Sequence, residues 1–154
     1  MGYENLPCFL IPHASYLRPM YWLVKSEPDV WSWGDQVKKK VEKWDGVRNH
    51  QAAKNMRAMQ LADQVFFYHS NIGKEIVGIC EVVREAYPDP TDATGKFVCV
   101  DIRAIRPLPQ PVSLASIKAN PKLVDIALVR QSRLSVMPIS HKEWQEILRM
   151  AGAL

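Results

Sequence analysis

The chain has 154 residues, 47% of them hydrophobic, a size that suits one domain burying about two-thirds of its unfolded surface. Its 20 Lys and Arg against 16 Asp and Glu leave a net charge of +4, which permits a polyanionic partner and excludes a histone-like excess of positive charge. The three cysteines show no C-x-x-C spacing, and no apolar run approaches the roughly 20 residues of a membrane span. We therefore expect free thiols, a cytoplasmic location and no membrane partner.

Residues 1–19, MGYENLPCFLIPHASYLRP, are predicted to be an N-terminal arm or an extension from an upstream start. They contain a short apolar patch but neither a basic leader nor an A-x-A cleavage site, so they do not resemble a signal peptide. The alternative is an edge segment that covers an apolar face. We expect a single domain from residue 20 to residue 154.

The first predicted strand changes character within eight residues, YWLVKSEP. Tyr21–Val24 is an aromatic and branched apolar run, typical of a buried strand. Lys25, Ser26 and Glu27 follow without a turn residue, and Pro28 biases Glu27 away from helix. Three polar side chains therefore lie at the mouth of a core strand, where they either rim a pocket or end the strand in water.

A short amphipathic helix is predicted next. Ser32 and Asp35 resemble a capping box, and Trp33, Val37 and Val41 recur every four residues. The lysines on its polar side are Lys38, Lys39 and Lys40.

The loop WDGVRN separates this helix from a second one. The segment HQAAKNMRAM, residues 50–59, has the Ala, Met and Arg content of a helix, and Asn49 is placed to cap it. The VRN residues therefore lie directly before a helix start.

Strands dominate the middle of the chain. Gln64–Ser70 is a strand by residue type, and NIGK is a hairpin connection leading into EIVGICEVVREAY. Gly78 in that second strand indicates a bulge or a close backbone approach. After the loop PDPTDATG, KFVCVDIRAIRPL resumes a strand, which we expect to end at Pro107, Pro109 and Pro111.

The last part of the chain is predicted to be mostly helical. A short helix runs from Ser113 to about Ala119, RLSVMP is a closing strand, and Ser140 and Glu143 cap a final helix that stops at Gly152. The order of elements shows no regular βαβ alternation. It predicts an α+β fold built on a mixed, mostly antiparallel, barrel-like sheet.

No catalytic or metal-binding motif is visible. The four histidines form neither H-E-x-x-H nor a Cys/His pair at zinc spacing, and the zinc deaminase pattern is absent, so we expect no metal and no cofactor. His69 and Ser70 are strand neighbours that point to opposite faces. We interpret His69 as a partly buried, hydrogen-bonded histidine and Cys80 and Cys99 as core residues.

Tryptophan is the more informative residue type. Four of the five tryptophans lie between Trp22 and Trp44, in a span that also holds KSEP and VRN. Together they supply the stacking faces and directed hydrogen-bond partners that a planar heterocycle requires. Stacking contributes about 1–3 kcal/mol per base, enough to help hold a base that has left its helix.

Several motifs, in order, resemble the EVE domain family of the PUA-like superfamily, which also contains the YTH domains. They are YWLVKSEP, WDGVRNHQAAKNM, ADQVFFYHSNIGKEIVGICEV, and RLSVMP followed by EW, and the similarity covers residues 21–148. The resemblance implies a pseudo-barrel of β-strands surrounded by short helices, without catalytic machinery. It also implies a pocket for a modified base, either modified cytosine in DNA or, for bacterial members, modified RNA or a restriction system.

The first hypothesis is therefore a non-enzymatic reader of a modified nucleobase in DNA or RNA, with the base flipped into an aromatic and polar pocket. The resemblance assigns the strand end, the VRN loop, Phe97 and the RLSVMP segment to the site, and Trp31 is added from its place among the tryptophans. The predicted ligand-binding residues are Lys25, Ser26, Glu27, Trp31, Val47, Arg48, Asn49, Phe97 and Ser135. The predicted phosphate contacts are Lys38, Lys39, Lys40, Lys74 and Arg133, although a solvated helix face explains the triple lysine equally well.

Two residues depart from the family pattern. Ala62 stands where the family usually has Gly, a tolerable change unless the position needs a positive φ angle. Arg48 stands where a YTH domain has a tryptophan, so a preference for methylated adenine does not follow.

Two other functions stay open at this stage. One is a PUA-like RNA-processing enzyme that uses Lys25, Glu27 and Tyr68 for proton transfer. The other is a module that binds a nucleotide or another small molecule. We favour a monomer.

Overall fold

The computed structural model describes Arg18 and residues 20–154. The predicted N-terminal arm, apart from Arg18, lies outside the described residues. The strands are β1 (Tyr21–Ser26), β2 (Val41–Lys43), β3 (Gln64–His69), β4 (Glu75–Pro88), β5 (Val98–Ser113) and β6 (Val136–Ile139). The helices are α1 (Trp33–Lys39), α2 (His50–Ala58), α3 (Leu114–Ala119), α4 (Ala127–Arg130) and α5 (His141–Met150), with a 3-10 turn at Pro121–Leu123.

The six strands form one sheet in the order β2-β5-β4-β3-β1-β6. Only the β1–β3 pair is parallel among the described strands; the other neighbours are antiparallel. The predicted α+β class, with a mixed, mostly antiparallel sheet and short helices, is confirmed. Strand β1 lies between β3 and β6, so its residues Trp22–Val24 are buried and its polar end emerges from the middle of the sheet.

The helix starts follow the predicted caps. Ser32 and Ser140 form capping boxes with Asp35 and Glu143, and the Asn49 side chain accepts a hydrogen bond from the Ala52 amide. Each cap satisfies a backbone N–H that the first helical turn leaves without a partner.

The end of α1 differs from the prediction. Lys40 has φ 73° and ψ −63°, which is not helical, so the helix stops there and Val41 begins strand β2 instead of a further helical turn. Val37 is 46% exposed, and the side chain that α1 buries is Gln36. The four-residue recurrence of apolar residues was therefore wrong as a guide to the buried face.

Strand β5 continues through the three prolines, contrary to the prediction that they end it. Pro107 is opposite Gly78 of β4, and pairing resumes at Val112 and Ser113. Strand β2 pairs only with Asp101–Arg103, so no neighbouring strand covers that edge of β5 at the prolines. Proline is compatible with a strand where its missing N–H is not needed by a neighbour.

Gly78 confirms the predicted close approach. The β3–β4 register shifts between Phe67 and Tyr68, opposite Gly78, and the β4–β5 register also shifts there. A Cβ atom on Gly78 would lie 2.4 Å from Cζ2 of Trp33. The backbone of β4 thus provides the seat for the Trp33 ring.

The core is aromatic at the β1 side of the sheet. The Trp144 ring of α5 stacks on Phe66 at 3.7 Å and on Tyr21 at 4.6 Å between ring centroids. Cys80 and Cys99 are buried free thiols whose pKa values burial raises, as predicted for core cysteines. No helix in the described part of the chain is long and apolar enough to cross a membrane.

Ala62 has a positive φ of 71°. Alanine is strained in this conformation, so the replacement of the expected glycine by Ala62 costs stability. We expect Ala62→Gly to raise the free energy of unfolding by up to about 1 kcal/mol, the relief of strain being partly offset by unfolded-state entropy. Urea denaturation measures the change. Ala58→Gly, in the last turn of α2, is the control and is expected to destabilise; a loss of stability in both variants would contradict the strain argument.

Candidate functional site

A cavity of about 620 Å³ opens at the polar end of β1. Its volume is within the range of about 300–1,000 Å³ that is common for small-ligand sites. Eight of the nine predicted ligand-binding residues line it, and Phe97 does not. The lining residues are Lys25, Ser26, Glu27, Val30, Trp31, Glu42, Lys43, Trp44, Asp45, Gly46, Val47, Arg48, Asn49 and Ser135.

The turn that follows β1 shapes one side of the cavity. The Glu27 carbonyl accepts hydrogen bonds from the amides of Val30 and Trp31, each at 2.9 Å. The Ser26 hydroxyl, on a residue 8% exposed, donates to the Trp31 carbonyl. Ser26 therefore holds the turn in place, and its oxygen keeps lone pairs that can accept from a ligand.

Trp31 is fixed from behind by a buried glutamine. Its indole Nε1 donates to Oε1 of Gln36 at 2.9 Å, and Gln36 is fully buried. The amide nitrogen of Gln36 donates in turn to the carbonyls of Lys40 and Ile102. The indole plane is thereby set before any ligand enters.

Trp44 forms another wall. Its amide donates to the Val100 carbonyl at 2.7 Å, and its ring meets Phe67 edge-on at 5.6 Å between centroids. Val47 also lines the cavity and is 9% exposed. Two of the five tryptophans thus line the cavity, while Trp22, Trp33 and Trp144 pack elsewhere.

Lys25 and Ser135 meet at the junction of β1 and the segment before β6. The Lys25 ammonium donates to the Ser132 carbonyl at 2.7 Å, and the Lys25 amide donates to the Ser135 carbonyl at 2.9 Å. Burial lowers the pKa of Lys25. The lysine is thus tethered at the cavity wall.

Glu27 and Asn49 present polar groups that the fold does not fully use. The exposed Glu27 carboxylate has no hydrogen-bond partner within the described residues, so it is an available acceptor. Asn49 Oδ1 caps α2 through the Ala52 amide, whereas its NH₂ group is left to donate. The site therefore offers an acceptor and a donor on separate side chains.

Arg48 is anchored by Asp89, a residue that the sequence analysis did not identify. Its Nη1 donates to Asp89 Oδ2 at 3.0 Å, and its Nη2 donates to Thr91 Oγ1 at 2.9 Å. The Asp89 side chain is fully buried, and its Oδ2 also accepts from the Gly46 amide at 2.8 Å. Desolvation raises the pKa of Asp89, but bonds from Thr91, Gly46 and Arg48 outweigh it and hold the value at about 2.

The placement of Phe97 in the cavity was wrong. Phe97 lies 5.4 Å from the Arg48 guanidinium and 5.2 Å from the His50 ring, measured to its ring centroid. Its amide is held by the Asp92 carboxylate at 2.8 Å. The ring therefore supports Arg48 and does not itself line the cavity.

The five predicted phosphate contacts lie outside the cavity lining, and their role stays a prediction. Lys38, Lys40, Lys74 and Arg133 are exposed. Lys39 is exposed too, but its ammonium pairs with Glu42 at 3.0 Å and lies 5.9 Å from the Trp31 ring centroid. Lys39 thus borders the cavity through its contacts with two lining residues.

The other polar groups considered for chemistry serve the fold. His69 is partly buried and its Nε2 accepts from the Trp33 amide at 2.9 Å, as expected for a hydrogen-bonded histidine, and burial lowers its pKa. Tyr68 is 3% exposed and is not among the cavity residues. In the described part of the chain, no three His, Cys, Asp or Glu side chains are grouped as metal ligands.

Six lining residues were not predicted as ligand-binding: Val30, Glu42, Lys43, Trp44, Asp45 and Gly46. The two buried residues that position the lining, Gln36 and Asp89, were not predicted either. Trp44 could have been predicted, because it lies in the same loop, WDGVRN, as the VRN residues assigned to the site. Gln36 and Asp89 act through partners 66 and 43 residues away, Ile102 and Gly46, so no local pattern marks them.

The depressed pKa of Asp89 makes a pH-dependent prediction. Because its pKa falls from an ordinary 3.8 to about 2 on folding, Asp89 stabilises the fold above about pH 4, and this contribution is lost as the pH falls toward 2. Carboxyl ¹³C NMR titration of the folded protein should show Asp89 titrating near 2. Thr91→Val removes a hydroxyl donor and should shift the midpoint upward; a wild-type midpoint near 4 would contradict the assignment.

Fold and cavity together define a PUA-like domain with a polar and aromatic cavity at the end of a central strand. A protein named ASCH from Zymomonas mobilis shares this fold at a TM-score of 0.55 and 12% identity, over 85% of this chain and 95% of that one. The chain belongs to the EVE domain family, whose model matches residues 20–150.

Relatives with higher identity extend the comparison. Thymocyte nuclear protein 1 of Rattus norvegicus is 34% identical over 167 residues, covering 86% of this chain and 74% of the relative. An NMR structure of a Rhodopseudomonas palustris protein is 61% identical with a TM-score of 0.83, over 87% of this chain and 94% of that one. Human thymocyte nuclear protein 1, in a crystal structure with DNA containing 5-methylcytosine, is 31% identical with a TM-score of 0.79, over 85% and 96%.

Proposed function

We propose that this protein binds nucleic acid that carries a modified base and accepts the flipped base in the cavity at the end of β1, without catalysing a reaction. The observation that carries the proposal is the placement of two tryptophans and several directed polar groups around one cavity. Because the human relative was solved with DNA containing 5-methylcytosine, a modified cytosine in DNA is the first ligand to test, and a modified base in RNA is the second.

The cavity chemistry suits a cytosine. Trp31 and Trp44 supply faces for stacking, each held by contacts with the protein. The Glu27 carboxylate can accept from the exocyclic amino group of cytosine, and the Asn49 NH₂ group can donate to an acceptor on the same edge. The small 5-substituent would meet the apolar part of the lining, to which Val47 contributes.

The charge of the lining also favours a base over a phosphate. The cationic lining residues Lys25, Lys43 and Arg48 are matched by the acidic residues Glu27, Glu42 and Asp45. Their formal charges cancel, which suits a neutral heterocycle. Phosphates of the polymer would then contact basic side chains outside the cavity, as the exposed positions of Lys38 and Arg133 allow.

The non-catalytic proposal is supported by the position of Tyr68. An enzymatic role for Lys25, Glu27 and Tyr68 requires all three groups to reach one substrate, whereas Tyr68 is buried and lies outside the lining. Burial raises the Tyr68 pKa, which further disfavours it as a proton donor.

Fluorescence anisotropy with labelled duplexes tests the proposal. We expect tighter binding to a duplex with 5-methylcytosine or 5-hydroxymethylcytosine than to the matched cytosine duplex at one stated salt concentration. Glu27→Gln should reduce binding, whereas Asp125→Asn, at a side chain 86% exposed and outside the cavity, should not. Titration of RNA ligands with the same sequence and modification shows whether the protein prefers DNA or RNA.

Two results would overturn the proposal. Equal affinity for all duplexes and RNAs, unaffected by Glu27→Gln, would show that the cavity does not read a base. Tight binding of a free nucleoside without salt dependence would assign the cavity to a small molecule instead.

A further inference from the structure

Asp89 connects two loops at the cavity wall. Its Oδ2 accepts from the Gly46 amide and from Arg48 Nη1, while its Oδ1 accepts from the amide of Thr91 at 2.7 Å and from its hydroxyl at 2.6 Å. The Asp89 side chain is fully buried, whereas the Arg48 side chain is 41% exposed, so the carboxylate end of these bonds is the one shielded from water. The loop that carries Arg48 is thereby tied to the loop that follows β4.

Gly46 allows this connection because it adopts a positive φ of 78°, which turns its N–H toward the carboxylate. The turn between Trp44 and Val47 thus brings Arg48 to Asp89, whose buried carboxylate is the anchor for both. The wall is assembled from residues about 40 positions apart in sequence.

The Arg48 guanidinium is held on several sides. Its Nη1 donates to Asp89 and to the Val47 carbonyl, its Nη2 donates to Thr91, and the Phe97 ring lies 5.4 Å from its Cζ. Of its five N–H groups, the Nε–H and one Nη2–H have no partner among the described residues. Those two groups are the donors that remain for a ligand.

The ion pair also removes the net charge from this wall. The Asp89 pKa of about 2 keeps the carboxylate ionised at neutral pH beside the permanently charged Arg48. An arginine that is already paired with a buried carboxylate releases no counterion when a ligand arrives. A free, solvated arginine that moves onto a phosphate would release about one.

We infer that Asp89 is a positioning residue that fixes Arg48 as a charge-neutralised recognition surface, so that Arg48 donates to the base and does not bind phosphate. The choice of ligand rests on the proposed function. The positioning itself does not, and it can be measured without a ligand.

NMR of the free protein measures the positioning. With ¹⁵N-labelled arginine, the Arg48 Nη protons should give separate signals in the wild type, because the bonds to Asp89 and Thr91 hinder rotation of the guanidinium. Asp89→Asn should average these signals. Glu81→Gln, which removes the carboxylate partner of Arg103 outside the cavity, is the matched control and should leave the Arg48 signals unchanged.

Binding over a salt series measures the recognition role. The double variant Arg48→Gln/Asp89→Asn leaves the net charge unchanged, so we expect the slope of log affinity against log salt to stay the same while the preference for 5-methylcytosine falls about tenfold. Asp89→Asn alone should lose the same preference and steepen the slope by about 0.9, because it frees the arginine.

The possible outcomes test the positioning of Arg48 separately from the proposed function. Averaged Arg48 signals in the wild type, a slope that is shallower by about 0.9 in the double variant, or an unchanged preference in Asp89→Asn would overturn the inference. A wild type that binds both duplexes equally would overturn the proposed function, while the NMR and slope results still decide whether Arg48 is fixed. If circular dichroism shows that Asp89→Asn does not fold, Arg48→Lys replaces it in the test. Loss of the preference for 5-methylcytosine with an unchanged salt slope supports the inference, and a retained preference overturns it.

Discussion

Replacing Trp31 by alanine is expected to weaken binding to a modified-base duplex by about five- to a hundredfold. Stacking on one aromatic side chain contributes about 1–3 kcal/mol per base, and the variant also removes the donor that satisfies the buried Oε1 of Gln36. Titration of the same labelled duplex against wild type and variant, at one salt concentration, measures the loss.

Two variants separate stacking from loss of structure. Trp31→Phe keeps an aromatic face without the N–H group, so it should retain most of the affinity if stacking dominates. Trp33→Phe changes a neighbouring tryptophan that packs over Gly78 outside the cavity and should bind as the wild type does. If Trp31→Ala bound the duplex with wild-type affinity, Trp31 would not contact the base.

The second large effect concerns stability. Gly78→Ala should lower the free energy of unfolding by about 1–3 kcal/mol, because the new Cβ would lie 2.4–2.6 Å from three ring atoms of Trp33. The ring has little room to move, since it meets Phe67 at 5.3 Å and the Trp33 amide is bonded to His69. Urea denaturation of both proteins measures the difference.

Matched variants test the cause. At Gly34, in α1, an added Cβ has only an ordinary contact of 3.5 Å with Ser32 Oγ, so Gly34→Ala should be neutral or stabilising. The double variant Gly78→Ala/Trp33→Leu should show a favourable coupling energy, because the smaller side chain relieves the clash. An unfolding free energy of Gly78→Ala within about 0.5 kcal/mol of the wild type would contradict the steric argument.

The cavity also shows which residues a local pattern can identify. Lys25, Ser26 and Glu27 were predictable because they follow an apolar strand directly, and the strand's burial decides where its end emerges. The capping pattern of Asn49 predicted where the next helix begins, whereas the place of the VRN loop at the site came from the family resemblance. Phe97 was misplaced because the family resemblance gave its approximate position but not its contact, which is with Arg48, a lining residue.

Caps, hairpin residues and the apolar run of β1 are properties of a few neighbouring residues, so they could be predicted without knowledge of the fold. Long-range packing, by contrast, is the reason that position 78 must be glycine, that Gln36 is buried, that three prolines lie within β5, and that Asp89 holds Arg48. These outcomes depend on partners far away in the chain and on which strand edge stays unpaired. Packing determines both. A buried polar group is stable only where another part of the chain supplies its hydrogen-bond partner, and proline fits a strand edge only where no neighbouring strand needs its missing N–H.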